Sequence, residues 1–306
     1  MRVCILLLFT YKNSIEDDNR IKLPGIEIDL YISYKFALKM NPDKIIVITD
    51  IIDELCVSSI LNPVLKGVVN SDIFTIISTL KKNNQYWNYT NKYDMINIIK
   101  KYILESDELF IYYSGHGLNN KFVLPLYVKN KLCDKNIIDN NDNYYHTNDF
   151  IINIIDNTNN KCEILLLIDC CQLTEILLPF KMNNNIYRIN LTSERNYPSQ
   201  KIICFTSSHY NEDVLISSNG SLFTKYFFKY MNEFNNGHIF DKVKKYHISN
   251  ILNTLTKECE LIFDQTPSVY SSYPDLKLIW FWLIGKNKKF NIEFDFVKNI
   301  CTISKK

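Results

Sequence analysis

The 306-residue chain has few glycines, no cysteine pair spaced as CxxC, and almost no excess of charge of either sign. Its formal net charge is +2, with acids and bases mixed along the chain. It therefore lacks the one-sided basic surface that binding to phosphate backbones requires, and nucleic acid is not an expected partner. No segment reaches the about 18 apolar residues of a membrane span, so we expect no membrane association.

The nine cysteines are odd in number and irregularly spaced. A structural zinc site needs four ligands at short, paired spacings, and a disulfide framework needs an even set in an oxidising compartment. We therefore expect reduced thiols, no metal site and a cytoplasmic location.

Apolar residues make up 46% of the chain, enough for a sizeable core. The opening stretch "MRVCILLLFT" resembles a short signal peptide, but no small-residue cleavage site follows it, which favours a buried strand. The first strand would then begin at residue 2 or 3, with no preceding domain.

Strand and helix patterns alternate along the rest of the chain. This order predicts an α/β fold with a mostly parallel central β-sheet and helices on both faces. The predicted strands are 3–9, 44–50, 108–117, 163–171, 201–208 and 276–284, and the predicted helices are 23–40, 91–105, 145–156 and 221–231, the third capped by Thr147 or Asn148.

Two predicted strands end in reactive side chains, "YYSGHG" and "LIDCC". In parallel sheets, functional residues collect beyond the carboxyl ends of the strands. Taken alone, the histidine is more simply a satisfied polar residue and the cysteines small core residues. Together they suggest catalysis, because 55 residues separate His116 from Cys171 and a caspase histidine lies about 50 residues before its cysteine.

These motifs resemble the caspase-like cysteine peptidases, and the metacaspases most closely. Residues 113–117, "YSGHG", match the metacaspase histidine motif, and Asp169-Cys170-Cys171 fits the nucleophile motif. "LPGIEID" at 23–29 and "NGSLFTKYFFKYM" at 219–231 correspond to two further family motifs. The resemblance, from about residue 2 to 285, implies a caspase-like fold in a single globular domain. Its parts would be a large part (1–178), an inter-subunit linker loop (179–200) and a small part (201–306).

The resemblance also implies the chemistry. Cys171 would be the nucleophile of a cysteine endopeptidase and His116 its partner, with the backbone N–H groups of Gly117 and Cys171 as the oxyanion hole and no cofactor. The family's acidic pocket for the residue before the scissile bond corresponds to Asp29, Ser114 and Asp169. Protein or peptide substrates cut after Arg or Lys are therefore expected.

The chain also departs from the family pattern. Gln172-Leu173-Thr174 replaces His-Ser-Gly after the nucleophile, and Ile26 replaces a pocket cysteine. These changes leave open an alternative, a catalytically inactive caspase-fold scaffold or decoy that binds protein partners.

Two regulatory features follow from the same comparison. The places of the family's calcium-binding acids fall at Tyr127, Asn148, Asp149 and Leu178, where only one acid remains, so activity without calcium is expected. The linker offers Lys181, Arg188 and Arg195 for self-cleavage, and a monomer is expected.

Overall fold

The structure is a computed structural model. It describes residues 1–12, 22–51, 66–126, 143–173, 175–183, 186–189, 198–209, 211–217, 219–235, 244–246, 248–260, 265–272, 290–295 and 300–305.

A nine-stranded sheet forms the centre of the molecule. Six neighbouring strands run parallel: β1 (Arg2–Leu8), β2 (Lys44–Thr49), β3 (Tyr86–Asn88), β4 (Glu108–Ser114), β8 (Glu163–Asp169) and β11 (Lys201–Thr206). The strands β9 (Phe180–Asn183), β10 (Ile186–Ile189) and β15 (Ser268–Ser271) extend it antiparallel beyond β11. The long apolar runs lie at its centre, where both faces of a strand are covered.

The remaining described strands form three small sheets. One contains β5 (His116–Leu118), β6 (Lys121–Val123) and β7 (Tyr144–His146). A second is the hairpin of β12 (Ile216–Ser217) and β13 (Gly220–Ser221). The third contains β14 (Lys244–Tyr246), β16 (Phe290–Asp295) and β17 (Ile300–Lys305).

Helices cover both faces of the central sheet, and the sheet divides the core into two layers. The helices are α1 (Ile26–Lys39), α2 (Lys66–Lys82), α3 (Lys92–Ile103), α4 (Thr147–Asn157), α5 (Leu222–Asn235) and α6 (Ile248–Glu260). Side chains of α1, α2, α5 and α6 pack in one buried cluster, and those of α3 and α4 in the other. Alternate residues of β1 point into opposite clusters, as the period of a strand requires.

The structure differs from the sequence expectations at several places. Helices α2 and α6 were not expected. The cap of α4 is His146, whose Nδ1 accepts the N–H of Asn148, and not Thr147 or Asn148 as expected. The expected linker loop at 179–200 contains β9 and β10, which join the sheet. The expected strand 276–284 lies outside the described residues. Within the described part of the chain, no helix combines the length and apolar character needed to cross a membrane.

Candidate active site

The carboxyl ends of the central strands bring together the segments that the sequence singled out. Ser114, the last residue of β4, pairs in register with Asp169, the last residue of β8. On its other side Ser114 pairs with Leu8 of β1. The His116 and Cys171 segments leave these neighbouring strand ends and therefore lie side by side.

The two adjacent cysteines have different surroundings. Cys170 is fully buried, and its backbone is held by Ser207 and Ser208, whose hydroxyls donate to its carbonyl oxygen at 3.2 Å and 2.8 Å. Cys171 is partly exposed, and the backbone N–H of Val214 donates to its Sγ at 3.2 Å. Only Cys171 of this pair offers a sulfur to a ligand.

The Cys171 sulfur is a thiol in this conformation. Burial raises its pKa to about 11, and the carboxylates of Asp213 and Asp169 act in the same direction, whereas the Val214 N–H opposes them. Nucleophilic attack therefore requires a base that removes the proton during the reaction.

Gly117 joins the histidine segment to the cysteine segment by close backbone contact. A Cβ atom at this position would lie 2.3 Å from the carbonyl oxygen of Cys171 and 2.7 Å from Cys170 Sγ. Only glycine fits here without displacing Cys170 and Cys171. The preceding residue, His116, is thereby placed beside the Cys170-Cys171 segment.

Tyrosine side chains hold the His116 backbone. The Tyr11 hydroxyl accepts the His116 N–H at 2.8 Å, and the Tyr113 hydroxyl donates to the His116 carbonyl oxygen at 2.9 Å. Tyr113 lies within the histidine motif, but sequence analysis missed Tyr11. Tyr11 lies three residues after the end of β1, and only the pairing of β1 with β4 brings it to His116.

Asp29, Ser114 and Asp169 form one buried polar cluster. Ser114 Oγ donates to Asp29 Oδ2 at 3.1 Å, and the Ser221 N–H donates to Asp29 Oδ1 at 2.9 Å. Thr224 Oγ1 donates to Asp169 Oδ2 at 2.5 Å. Both acids have no solvent exposure, so α1, β4 and β8 each contribute one residue to an enclosed acidic site.

Burial raises the pKa of both acids. Burial raises the pKa of Asp29 well above its usual range, and the nearby Asp169 carboxylate raises it further. Burial likewise raises the pKa of Asp169, and the nearby hydroxyls of Ser221 and Thr224 partly oppose this, although only the Thr224 hydroxyl is in hydrogen-bonding geometry. The pair therefore favours a bound proton or an external cation over two bare negative charges.

Two oxygens of this cluster have no hydrogen-bonding partner within the described part of the chain. Among the described residues, Asp169 Oδ1 and Ser221 Oγ are both buried and neither has a partner in hydrogen-bonding geometry. Buried polar atoms without a partner are rare, because they lose water without replacing it. Asp169 Oδ1 can therefore accept a further hydrogen bond within the cluster.

The β12–β13 hairpin closes over these acids. Strand β13 packs against α1, and its Ser221 provides the N–H bond to Asp29. The same chain segment, further upstream, carries Asp213 and Val214 next to Cys171. One segment between β11 and α5 therefore contacts both Cys171 and the acidic cluster. The sequence did not predict this arrangement, because strands of two residues have no recognisable pattern.

Gln172, at the position where the metacaspase motif has histidine, links the Cys171 segment to the segment that follows His116. It adopts a left-handed backbone conformation with φ 57°. Its Oε1 accepts the Asn119 N–H at 3.3 Å, its carbonyl oxygen accepts the Asn120 N–H at 3.1 Å, and its own N–H donates to Glu212. Thr174 lies outside the described residues. The altered segment is thus tied to both neighbouring loops at Gln172.

The positions that correspond to calcium ligands have other contacts. Asn148 Oδ1 accepts the Leu177 N–H at 2.9 Å, and Leu178 is fully buried. Tyr127 lies outside the described residues. In the part of the chain that the structure describes, no cluster of three or more His, Cys, Asp or Glu side chains is arranged to hold a metal ion.

Two solved structures are similar to this chain at low sequence identity. Caspase-1 from Spodoptera frugiperda is 12% identical, with a TM-score of 0.49 over 89% of this chain and 86% of that chain. A Geobacter sulfurreducens protein is 11% identical, with a TM-score of 0.47 over 89% of this chain and 93% of that chain. No curated protein sequence matches the chain.

A match to the caspase domain covers residues 66–278, more than half of the chain. The matched region includes His116, Cys171 and Asp169, whereas Asp29 precedes it. The expected caspase-like α/β fold is confirmed by this match and by the parallel sheet with helices on both faces. The chain belongs to the caspase-domain family.

Proposed function

We propose that this protein is a cysteine endopeptidase that cleaves polypeptides after Arg or Lys, with Cys171 as nucleophile and His116 as general base and acid. Membership of the caspase-domain family supports cysteine peptidase chemistry at the level of the family. The choice of residues and the basic specificity come from the resemblance to the metacaspases, and the arrangement of the site supports them.

The reaction begins with a thiol. Cys171 Sγ attacks the scissile carbonyl carbon while His116 takes the thiol proton, forming the S–C bond and a tetrahedral oxyanion. The backbone N–H groups of Gly117 and Cys171 are the proposed donors to that oxyanion. The C–N bond then breaks, and His116 returns the proton to the leaving amine. Water hydrolyses the thioester and regenerates the thiol.

The unsatisfied Asp169 Oδ1 is the observation that carries the proposed specificity. It lies in a cluster with Asp29, and both carboxyl groups are fully buried with raised pKa values. A guanidinium or ammonium group placed between them would supply the missing hydrogen-bond donors and favour ionisation of the acids. An acidic substrate side chain would add a further negative charge to a desolvated site.

A substrate side chain can reach the acids only if their cover moves. The N–H of Ser221 in β13 occupies Asp29 Oδ1, and neither acid is exposed. We infer that the β12–β13 hairpin shifts away from α1 when a basic residue binds.

Peptide reporters with Arg, Lys, Asp or Asn before the cleaved bond test the proposal. Wild-type protein should hydrolyse the Arg and Lys reporters, and Cys171→Ala and His116→Ala should hydrolyse none. Efficient cleavage after Asp would contradict the basic specificity. A folded wild type that cleaves none of the reporters, yet still captures protein partners, would favour the inactive scaffold.

A further inference from the structure

We propose that Tyr11 is a positioning residue for His116, which fixes the imidazole beside Cys171; this rests on the proposed Cys171–His116 chemistry. Tyr11 itself would touch neither substrate nor reacting atoms. It lies three residues after the end of β1 and more than 100 residues before the histidine in sequence. The two residues meet because β1 and β4 are neighbouring parallel strands.

Tyr11 contacts both the backbone and the ring of His116. Its hydroxyl accepts the His116 N–H at 2.8 Å and donates to the carbonyl oxygen of Val123. Its ring centroid lies 4.6 Å from that of the imidazole, with an interplanar angle of 51°. One side chain thus holds the start of β5 against the end of β6 and covers one side of the imidazole.

A second tyrosine completes the support. Tyr113 donates to the His116 carbonyl oxygen, so tyrosine hydroxyls bind both backbone groups of the histidine. A Cβ atom on Gly115 would lie 2.8 Å from the Tyr11 hydroxyl and 2.9 Å from that of Tyr113. The glycine before the histidine therefore makes room for both hydroxyls, which gives a physical reason for this part of the motif.

Tyr11 is itself rigidly held. The carboxylate of Asp50, at the end of β2, accepts the N–H of Thr10 and that of Tyr11, each at 2.6 Å. Tyr11 is 2% exposed, and Phe9 packs edge-on to its ring at a centroid distance of 6.4 Å. Burial raises the pKa of the phenol, so it keeps the proton that it donates to Val123.

Such a support affects turnover more than substrate binding. A displacement of about 1 Å at a reacting group can reduce the rate by about 100-fold, because the near-attack geometry is lost. The acidic cluster that would bind the substrate side chain makes no contact with Tyr11 in the described hydrogen-bond network. Removing the Tyr11 hydroxyl should therefore lower kcat and leave KM nearly unchanged.

The test compares Tyr11→Phe with Tyr86→Phe. Both variants keep the aromatic ring. Tyr86→Phe serves as the control, because it removes a hydroxyl that donates to the backbone carbonyl oxygen of Ile51, just after β2. With the Arg reporter, Tyr11→Phe should lose about ten-fold or more in kcat with little change in KM, whereas Tyr86→Phe should match wild type. NMR should show a shifted or broadened His116 ring resonance only in Tyr11→Phe.

Other outcomes overturn the inference. An unchanged kcat in Tyr11→Phe, or a reduced kcat with an unaltered His116 resonance, would show that the hydroxyl does not act through the imidazole. Failure of the proposed function gives a different pattern: wild type itself cleaves no reporter. If Tyr11→Phe still alters the His116 resonance in that case, Tyr11 holds the ring for structural reasons only, and its role in catalysis is rejected.

Discussion

At the scale of single residues, Cys170 and Cys171 are chemically identical neighbours with opposite environments. Strand alternation continues past β8, so the first thiol faces the core and the second faces the open end of the sheet. Cys170→Ala should therefore keep turnover and lose about 1 kcal/mol of unfolding free energy, whereas Cys171→Ala should abolish turnover in a folded protein. Reporter kinetics and chemical denaturation measure both effects. Turnover that survives only in Cys171→Ala would show that the nucleophile is misassigned.

Asp29 carries a second prediction at this scale. In Asp29→Asn, the amide oxygen can still accept the Ser221 N–H and the amide nitrogen can donate within the cluster, so the fold should remain. One charge-assisted hydrogen bond to a basic substrate side chain contributes about 1.5 to 3 kcal/mol. kcat/KM for the Arg reporter should therefore fall by about 10- to 100-fold. An unchanged Arg rate in the folded variant would refute the pocket assignment.

At the scale of elements, Asp50 connects the ends of β1 and β2 and makes their junction sensitive to pH. Burial raises its pKa from 3.8 to about 6, despite the opposing N–H bonds from Thr10 and Tyr11. Because the folded state binds this proton more tightly than the unfolded state, its stabilising contribution is complete below about pH 4 and is lost as the pH rises through about 6.

Asp50→Asn isolates that contribution. The difference in unfolding free energy between wild type and variant should shift in favour of the variant from pH 4.5 to pH 7.5. About 2 kcal/mol of the full shift of about 3 kcal/mol falls within this pH range. Urea unfolding at several pH values measures the difference. Parallel pH curves for the two proteins would mean that Asp50 titrates alike in the folded and unfolded chains.

The β9–β10 hairpin limits where the chain could cut itself. Lys181 pairs with Arg188 in the hairpin and with Tyr270 in β15. The peptide bonds that follow Lys181 and Arg188 are therefore held in the sheet and are not free to enter an active site. Lys181 Nζ also lies 3.1 Å from His209 Nε2 and faces the Tyr270 ring. We expect no cleavage after Lys181 or Arg188 in the folded protein. Arg195, outside the described residues, is the remaining candidate from the sequence.

Mass spectrometry of three proteins tests this restriction. Wild type and Lys181→Gln should give the same fragments, and Arg195→Gln should abolish any that form. The Cys171→Ala protein should stay intact and serve as the baseline. Fragments that end at Lys181 or Arg188 would show that the hairpin opens during self-cleavage.

At the scale of the whole molecule, the sequence predicted those parts of the fold that are written as local patterns. Strands β1, β4 and β8 are long apolar runs, of which β4 and β8 end in a polar residue, and the motif around His116 located one side of the candidate site. Tyr11 and the β12–β13 hairpin could not be predicted in this way. Tyr11 meets His116 only through the pairing of β1 with β4, and strands of two residues carry no periodicity.

The arrangement of the sheet also bears on how the molecule assembles. Beyond β11, strand β15 would be an edge with free backbone groups, but β9 pairs along it and β10 pairs with β9. Unpaired edges invite a second chain to add to the sheet, and both outer strands of this sheet are short, with four residues in β10 and three in β3. We therefore expect a monomer of 36.1 kDa in solution. Light scattering after size-exclusion chromatography, repeated over a dilution series, should give this mass at every concentration. A stable mass of twice that value would mean that another surface mediates dimerisation, and a mass that falls on dilution would show reversible association.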